Sequence, residues 1–546
     1  MQLTRLSAFT LIAMASAILF IHSLGNVHLF DWDEINFAES AREMIETKDY
    51  MRVQINYEPF WEKPPLFFWM QVVSMKIFGV GEFAARLPNA ICGIVTLLVL
   101  FGIGRRVHDM RFAGWWVLIH AGTFLAHLYF KSGIIDPWFN LFIFLGIHFL
   151  SAFLSQQPKD TGHIRTLMLS ALFTGMAVLT KGPVGLLVVL LTYVVYILLN
   201  RGKGWVPFRY YLYWALGVLA VTLVWFGLEV MQHGWWYVNE FFTYQIRLAQ
   251  TKDAGHGGFP GYHFIVLLIG CFPASLLIFS TGSHATETGR VAIFRKMMIA
   301  SLIVILVVFS LVKTKIIHYS SFAYFPIGYL AATTVYGLLT GTVRIRTWQS
   351  TAILIIGVIW SIAFIGLPLV GNNIHWLKPL LAKDPFAVAN LQADVTWGYH
   401  LMLPGILFLA AVILATIRLR RQQYHQAFLW LFLSAIFVMQ VLLTSFAPRI
   451  EQYSQHAAIE FFKSLKGQDV YVETVGYKSY GPYFYFGVKP GNRKESKDEQ
   501  WLLTADLDKP AYLVTRLNKK DRVLAAHGQR LVILYEKNGF VFMKRK

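Results

Sequence analysis

The chain has 546 residues, of which 56% are hydrophobic and only 14% are charged. A soluble domain carries about 25% charged residues, so this composition argues against a soluble globular protein. Repeated apolar stretches of about 20 residues predict a polytopic membrane protein instead. The net charge of +19 does not indicate a nucleic-acid partner, because the lysines and arginines fall in short loops and no base-reading motif accompanies them.

The first apolar stretch, residues 6–26, follows Arg5 and has features of a signal peptide. Its small-residue triplet, Ala15-Ser16-Ala17, lies inside the stretch rather than after it, which favours an uncleaved membrane anchor. The two cysteines, Cys92 and Cys271, both lie in apolar stretches. Neither a disulfide nor a cysteine metal site is therefore expected.

Two short helices are predicted between the first and second spans. Over 34–46 the apolar residues recur at i, i+4, i+7 and i+8 and the charged residues occupy the other positions, which predicts an amphipathic helix at the membrane interface. Residues 66–80 follow Pro64-Pro65, are short, and carry Gln71 and Lys76. This stretch is predicted to lie along the membrane as a second juxtamembrane helix, within a periplasmic segment covering 27–83.

Six short basic segments determine the predicted topology. They are Arg105 to Arg111, 156–165, 201–209, 290–296, Arg344 to Arg346, and Arg418 to Arg421. The positive-inside rule places all six in the cytoplasm, with two spans between consecutive segments. With a cytoplasmic N-terminus and 66–80 excluded, the chain has about thirteen spans and its C-terminus lies outside.

The sequence changes character after residue 446. Strand-like stretches at 470–475 and 530–535 alternate with charged turns, and a helix near 455–466 precedes them. This pattern is typical of a small α+β domain. The predicted division is therefore an all-α membrane domain over 1–446 and a periplasmic domain over 447–546.

The predicted topology collects charged segments on the outer face. They are 31–63, 132–137, 180–183, 232–261 and 313–319. Lysines and an arginine there could hold a phosphate, and a carboxylate could take a proton from an acceptor hydroxyl. Glutamate and histidine together could bind a divalent metal. Ionisable residues at membrane depth are costly, so such a cluster points to function.

Each of these residues also has an ordinary structural interpretation. Asp33 could cap the helix over 34–46, and Asp136 before Pro137 is typical of a helix start. Lys313 and Lys315 could anchor a span at the interface. The remaining residues are expected to be solvated or to form local ion pairs: His256, Arg42 and Arg86.

The same residues resemble those of bacterial lipid-linked-sugar glycosyltransferases of the aminoarabinose transferase and protein mannosyltransferase type, within the GT-C superfamily. The matching pieces are Asp33-Glu34 with Phe37-Ala38-Glu39 and Ala41-Arg42-Glu43-Met44; Glu62-Lys63-Pro64-Pro65-Leu66; Glu82-Phe83 with Ala85-Arg86-Leu87-Pro88; Leu179-Thr180-Lys181-Gly182-Pro183; and Lys313-Thr314-Lys315 with His318-Tyr319 and Pro326. The resemblance covers about residues 1–340. One departure, Ile316-Ile317 in place of Leu-Pro, leaves the start of the tenth span unpredicted.

The resemblance implies a GT-C fold of thirteen spans with juxtamembrane helices and a periplasmic C-terminal domain. It implies that Asp33 is the catalytic acidic residue and Asp136 a second one. Glu62 and His256 are the implied pair for a divalent metal, with Zn, Mg or Mn as candidates. The implied ligands of the substrate or lipid phosphate are Lys63 and Arg247 with Tyr319 beside them, and the other lysines of this face, Lys181, Lys313 and Lys315.

The function this implies is transfer of a sugar from a polyprenyl-phosphate carrier to a periplasmic-side acceptor (lipid A, another glycan or a protein) at the bacterial inner membrane. A lipid or solute transporter is the main alternative, although transporters place charge near the midplane and often contain inverted repeats. A third possibility is a binding or assembly module that works through the C-terminal domain.

Overall fold

The computed structural model describes residues 5–156, 162–251, 257–279, 289–491 and 494–546. Most of these residues are helical. The helices are α1 Arg5–Ile21, α2 Asp33–Thr47, α3 Leu66–Phe78, α4 Glu82–Val107, α5 Met110–Ala121, α6 Phe124–Tyr129, α7 Asp136–Ser155, α8 His163–Lys181, α9 Val184–Leu199, α10 Phe208–His233, α11 Trp236–Gln250, α12 Tyr262–Gly270, α13 Ala274–Leu277, α14 Gly289–Leu311, α15 Tyr324–Leu339, α16 Thr347–Asn372, α17 Lys378–Leu381, α18 Pro385–Asn390, α19 Leu403–Arg420, α20 Tyr424–Val441, α21 Ala447–Gln452, α22 His456–Ser464, α23 Glu499–Thr504 and α24 Lys520–His527.

Nine helical stretches in the described part of the chain are long and apolar enough to cross a membrane, and three shorter apolar helices accompany them. The protein is therefore a multi-pass membrane protein, while the count of thirteen stays a prediction. The apolar window of α7 is 78% buried against other helices, whereas that of α10 is only 17% buried. Helix α7 thus lies at the centre of the bundle, and α10 presents most of its surface outward.

The two short helices predicted between the first spans are present as α2 and α3. Helix α3 begins directly after Pro65, as the sequence predicts. Helix α2 is amphipathic in sequence, but two residues of its charged side, Glu39 and Glu43, are fully buried. Arg42 donates to Glu39 and to the backbone oxygen of Val488, so the C-terminal residues cover this side.

The C-terminal residues form a four-stranded sheet in the order β3-β4-β6-β5. Its strands are β3 Tyr471–Val475, β4 Ala511–Arg516, β5 Leu531–Lys537 and β6 Phe540–Arg545; a two-residue hairpin, β1 Gln54–Ile55 and β2 Glu58–Pro59, lies earlier in the chain. Strands β3 and β4 are parallel, with Tyr471 opposite Ala511, and the other pairs are antiparallel. Both predicted strands and the predicted helix are confirmed as β3, β5 and α22.

The sheet has a small core of its own, but α22 and the segment around Phe484 belong to the main hydrophobic core of the helical bundle. The C-terminal region is therefore packed against the membrane region through apolar contacts. Whether residues 447–546 are a separate domain stays a prediction.

The unpredicted segment after Lys315 is a 3-10 helix, Ile317–Ala323, which continues directly into α15. A 3-10 helix places side chains three residues apart on one face. Here it brings His318 and Ser321 to the same side, where both contact residues of the candidate site described next.

Candidate functional site

A buried ion pair fixes the loop that carries Asp33. Glu34 Oε2 accepts a hydrogen bond of 2.7 Å from Arg86 of α4, and Oε1 accepts one of 2.9 Å from the same guanidinium. The backbone amides of Phe30 and Gly133 also donate to Glu34. Burial opposes ionisation of Glu34, but Arg86 and these donors outweigh it and hold the pKa of this carboxyl below its usual value.

The prediction that Arg86 makes a local ion pair is wrong, because its partner lies 52 positions away in the chain. Arg42 does make a local pair, with Glu39 three positions earlier. Close approach at Gly133 matters as well, since an added Cβ there would stand 3.3 Å from Glu34 Oε1. The loop after α1, helix α4 and the loop around Gly133 therefore meet at Glu34.

Asp33 is the first residue of α2, and its side chain remains 45% exposed. Trp32 is the N-cap, and no side-chain capping bond is found at this helix start. The expectation that Asp33 caps the helix is therefore not supported. Its Oδ2 atom instead lies 3.9 Å from His318 Nε2.

His318 connects Asp33 to the interior. Its Nδ1 atom forms a 2.6 Å hydrogen bond with the hydroxyl of Tyr129, a residue buried at the end of α6. The imidazole thus stands between a carboxylate on one side and a phenol on the other. The hydrogen bond with Tyr129 orients the imidazole, whereas the Asp33 oxygen at 3.9 Å lies beyond hydrogen-bond distance.

Asp136 is the second buried carboxylate at this face. It begins α7, as the Asp-Pro pattern predicts, and its Oδ1 atom lies 2.6 Å from Lys181 Nζ. Ser321 donates weakly to the same oxygen at 3.4 Å. The Lys181 ammonium also lies 5.8 Å from the centre of the Tyr319 ring, so three of the predicted residues are brought together.

The Glu62-Lys63 motif lies against α11. Tyr244 donates a 2.8 Å hydrogen bond to Glu62 Oε2, and Lys63 Nζ lies 3.8 Å from the same oxygen. The cationic groups of Lys63 and Arg247 lie 5.3 and 5.1 Å from the centre of the Tyr244 ring. The two predicted phosphate ligands therefore share one aromatic neighbour, which the sequence did not single out.

The C-terminal region completes the site through Tyr480. The backbone amide of Tyr480 donates to Asp31, and its ring lies 5.5 Å from that of Trp32. Burial raises the pKa of the Tyr480 hydroxyl, and the negative charges of Glu62, Asp31 and Asp33 raise it further. This phenol thus lies within electrostatic reach of both the Asp33 loop and Glu62.

Two of the predicted lysines make none of the described contacts above. The ammonium of Lys315 is buried and donates to three backbone oxygens at the end of α14, those of Phe309, Ser310 and Val312. It satisfies the helix C-terminus, so we leave it out of the proposed phosphate site. Lys313 is exposed, and His256 lies outside the described residues.

The chain matches known proteins over most of its length. Residues 62–226 match the family model described as dolichyl-phosphate-mannose-protein mannosyltransferase. The undecaprenyl phosphate-alpha-4-amino-4-deoxy-L-arabinose arabinosyl transferase of Shewanella sediminis (strain HAW-EB3) is 25% identical over 322 residues, and the chain spans 58% of that relative's length. The transferase of the same name from Pectobacterium atrosepticum is 24% identical over 74% of this chain and 75% of its own.

Two solved structures share the fold. The crystal structure of ArnT from Cupriavidus metallidurans bound to undecaprenyl phosphate has a TM-score of 0.74 at 19% identity, covering 99% of this chain and 98% of that one. The apo oligosaccharyltransferase of Archaeoglobus fulgidus has a TM-score of 0.51 at 12% identity, covering 96% and 71%. The chain thus shares the fold of these two proteins, and in sequence it is similar to the aminoarabinose transferases.

Proposed function

We propose that the protein is an integral-membrane glycosyltransferase that moves a sugar from a polyprenyl-phosphate carrier to an acceptor hydroxyl. The observation that carries the proposal is the meeting of Asp33, His318, Asp136 and Lys181 in one cluster, with Lys63 and Arg247 beside Glu62. The names of the relatives and the undecaprenyl phosphate bound to the Cupriavidus protein support the donor class.

The donor phosphate is proposed to lie against Lys63 and Arg247. Both cations lie beside the Tyr244 ring, and this shared neighbour supports their binding of one anion. The Glu62 carboxylate 3.8 Å from Lys63 keeps that ammonium in position and repels an anion placed on the wrong side. In this arrangement the phosphate is bound before transfer and remains bound as the leaving group.

The acceptor is proposed to react at Asp33. Its exposed carboxylate takes the proton of the acceptor hydroxyl while the hydroxyl oxygen attacks the anomeric carbon of the sugar. A new glycosidic bond forms as the bond from the anomeric carbon to the phosphate oxygen breaks, and the electron pair leaves on the polyprenyl phosphate. Lys63 and Arg247 stabilise that developing charge. His318 positions Asp33 through their 3.9 Å contact.

A metal at Glu62 stays a prediction. The described part of the chain supplies Glu62 but not His256, and Glu62 already accepts from Tyr244 and faces Lys63. A cation bound to this carboxylate would have to coexist with that ammonium. The steps above therefore use only residues whose positions are described.

The proposal is tested by lipid-extract mass spectrometry of cells with and without the protein. We expect a polyprenyl-phosphate sugar to accumulate, and one glycosylated product to disappear, when the protein is absent. The product that disappears identifies the acceptor as lipid A, another glycan or a protein. If the protein were a transporter, detergent extracts of cells that lack it would still form the product when supplied with donor and acceptor. That outcome would reject the enzyme.

A further inference from the structure

A second group of metal-ligating side chains lies where the loop after α1 meets the C-terminal region. His28, Glu451 and His456 each offer a ligand atom, and these atoms all lie within 4.8 Å of one another. Glu451 is buried, with its Oε1 atom 3.0 Å from His28 Nδ1 and its Oε2 atom 3.0 Å from His456 Nδ1. Both histidines therefore turn the same ring nitrogen toward one carboxylate.

This donor set suits a divalent transition metal. Imidazole nitrogens and a carboxylate oxygen are typical ligands of Zn²⁺, at about 2.1 Å from the ion. Ligand atoms around a tetrahedral ion at that distance stand about 3.4 Å apart. Here each histidine nitrogen lies 3.0 Å from a different oxygen of Glu451, and the three ligand atoms lie within 4.8 Å of one another. Three protein ligands leave a fourth position for water.

The surroundings of His28 are those expected of a metal-binding histidine. Its other nitrogen, Nε2, lies 3.2 Å from Glu460 Oε1. Metal-binding histidines usually donate their second N–H to a carboxylate, which fixes the ring. Lys463 pairs with Glu460 at 2.8 Å and lies 3.4 Å from His28 Nε2, so it holds this outer carboxylate in place.

The segment that the group holds leads into the catalytic loop. Gln455, one residue before His456, donates to the backbone oxygen of Leu29 at 2.7 Å and accepts from the backbone amide of Asp31. Asp33 follows two residues later. A metal bound to His28 would therefore fasten this segment to α21 and α22.

We propose that His28, Glu451 and His456 bind one divalent transition-metal ion of the Zn²⁺ class, which ties the Asp33 loop to the C-terminal region. This site is separate from the predicted pair Glu62 and His256, and it does not depend on the proposed activity. Its role is structural, since none of its three ligands reaches the cluster around Asp33 and Asp136 through a described contact.

The test is zinc binding by the full-length protein in detergent. Bound metal is removed with a chelator, and the protein is titrated with Zn²⁺ against a chromophoric competitor. The titration compares the wild type, His456→Asn and Glu451→Gln. The matched control is His400→Asn, an exposed histidine. We expect the wild type and the His400→Asn control to bind one more equivalent of Zn²⁺ than His456→Asn and Glu451→Gln. Zn²⁺ should also raise the Tm of the wild type and the control, but not that of the two site variants. Equal stoichiometry in all four proteins, or no uptake by the wild type, would overturn the proposal.

A second variant guards against misfolding. Glu460 is 47% exposed on its side chain, so Glu460→Gln leaves the three ligands and the core unchanged. Loss of an outer carboxylate typically weakens metal affinity about 10- to 100-fold. We expect that weakening in the titration, whereas unchanged zinc affinity in Glu460→Gln would contradict the outer role of this carboxylate and the histidine geometry that depends on it.

Discussion

Glu34 and Arg86 form a buried ion pair with two hydrogen bonds, although they lie 52 positions apart in the chain. The Arg86 guanidinium also donates to the backbone oxygens of Leu24, Val27 and His28. The pair thus connects the loop after α1 to the start of α4. Because this loop carries Asp33, the pair positions the proposed catalytic carboxylate without contacting it.

We expect Glu34→Gln to destabilise the protein strongly. The substitution leaves the Arg86 charge buried without a compensating carboxylate, and breaking a buried pair costs about 3–5 kcal/mol. Thermal unfolding of the purified protein in detergent, followed by tryptophan fluorescence, measures the effect. The control is Asp469→Asn, which removes the surface pair with Lys509, where the Asp469 side chain is 84% exposed. Equal Tm values for both variants would contradict the structural role of Glu34.

The stability of the protein is expected to fall as pH rises, through Glu43. Burial raises the pKa of Glu43 to about 9, and the neighbouring Glu39 charge contributes. The folded chain therefore keeps a proton on Glu43 that the unfolded chain loses above pH of about 4.5. Between this pH and about 9, each increase in pH lowers the free energy of unfolding. Glu43→Gln mimics the protonated form and should remove this part of the pH dependence. The measurement is Tm at pH 6 and pH 8, with Glu46→Gln, an exposed position on the same helix, as the control.

The local elements of the membrane region were predictable from the sequence. Apolar stretches, prolines and basic loops predicted α3 to within two residues, and alternating patterns predicted β3 and β5. These features depend on neighbours in the chain, so periodicity is enough to find them. Long-range pairing is different, because no local sequence pattern predicts that Arg86 pairs with Glu34 rather than with Glu82, or that the Val488 backbone oxygen accepts from Arg42.

The candidate site was predictable only in part for the same reason. Asp33, Lys63 and Asp136 stand out because carboxylates and lysines are unusual beside spans. The partners Tyr129 and Tyr244 do not, because tyrosines are common at membrane interfaces. His28 and His456 were missed because a single loop histidine is usually solvated, and only the fold places them on either side of Glu451. The role of Lys315 could not be chosen from the sequence, because a lysine after a span can cap a helix or bind a ligand with the same sequence pattern.

The predicted orientation can be tested by cysteine labelling in intact cells. Cysteines placed at Lys48 and Gln500 should react with an impermeant reagent from outside, and one at Arg111 only after permeabilisation. All three positions are exposed, and the native Cys92 and Cys271 are buried, so the background should be low. Labelling of position 111 in intact cells would reverse the topology.

Lys63→Ala is expected to weaken use of the lipid donor about 10- to 100-fold. A charge-assisted hydrogen bond to phosphate contributes about 1.5–3 kcal/mol, which corresponds to that change in affinity. The measurement is the dependence of transfer rate on donor concentration. The matched control is Lys76→Ala on α3, where the ammonium lies over the Tyr50 ring and not at the proposed phosphate site. Normal donor dependence in Lys63→Ala would remove this residue from the phosphate site.

The sharpest test of mechanism is Asp33→Asn. Asn preserves the size and hydrogen-bonding capacity of the side chain but cannot accept the acceptor proton, and loss of a general base typically slows a reaction about 10²- to 10⁴-fold. Donor binding should remain, because Lys63 and Arg247 are unchanged and Asp33 makes no described contact with either. The control is Asp49→Asn, whose carboxylate accepts from the amides of Met51 and Arg52 in the same loop segment, a role that an amide oxygen can keep. Transfer and donor binding are measured on the same detergent samples.

Loss of transfer with intact binding supports the acid–base role of Asp33 and is hard to reconcile with a transporter, which needs no base. Full transfer by Asp33→Asn would leave Asp33 as a partner of His318 only, and would make Asp136 the leading candidate for the base.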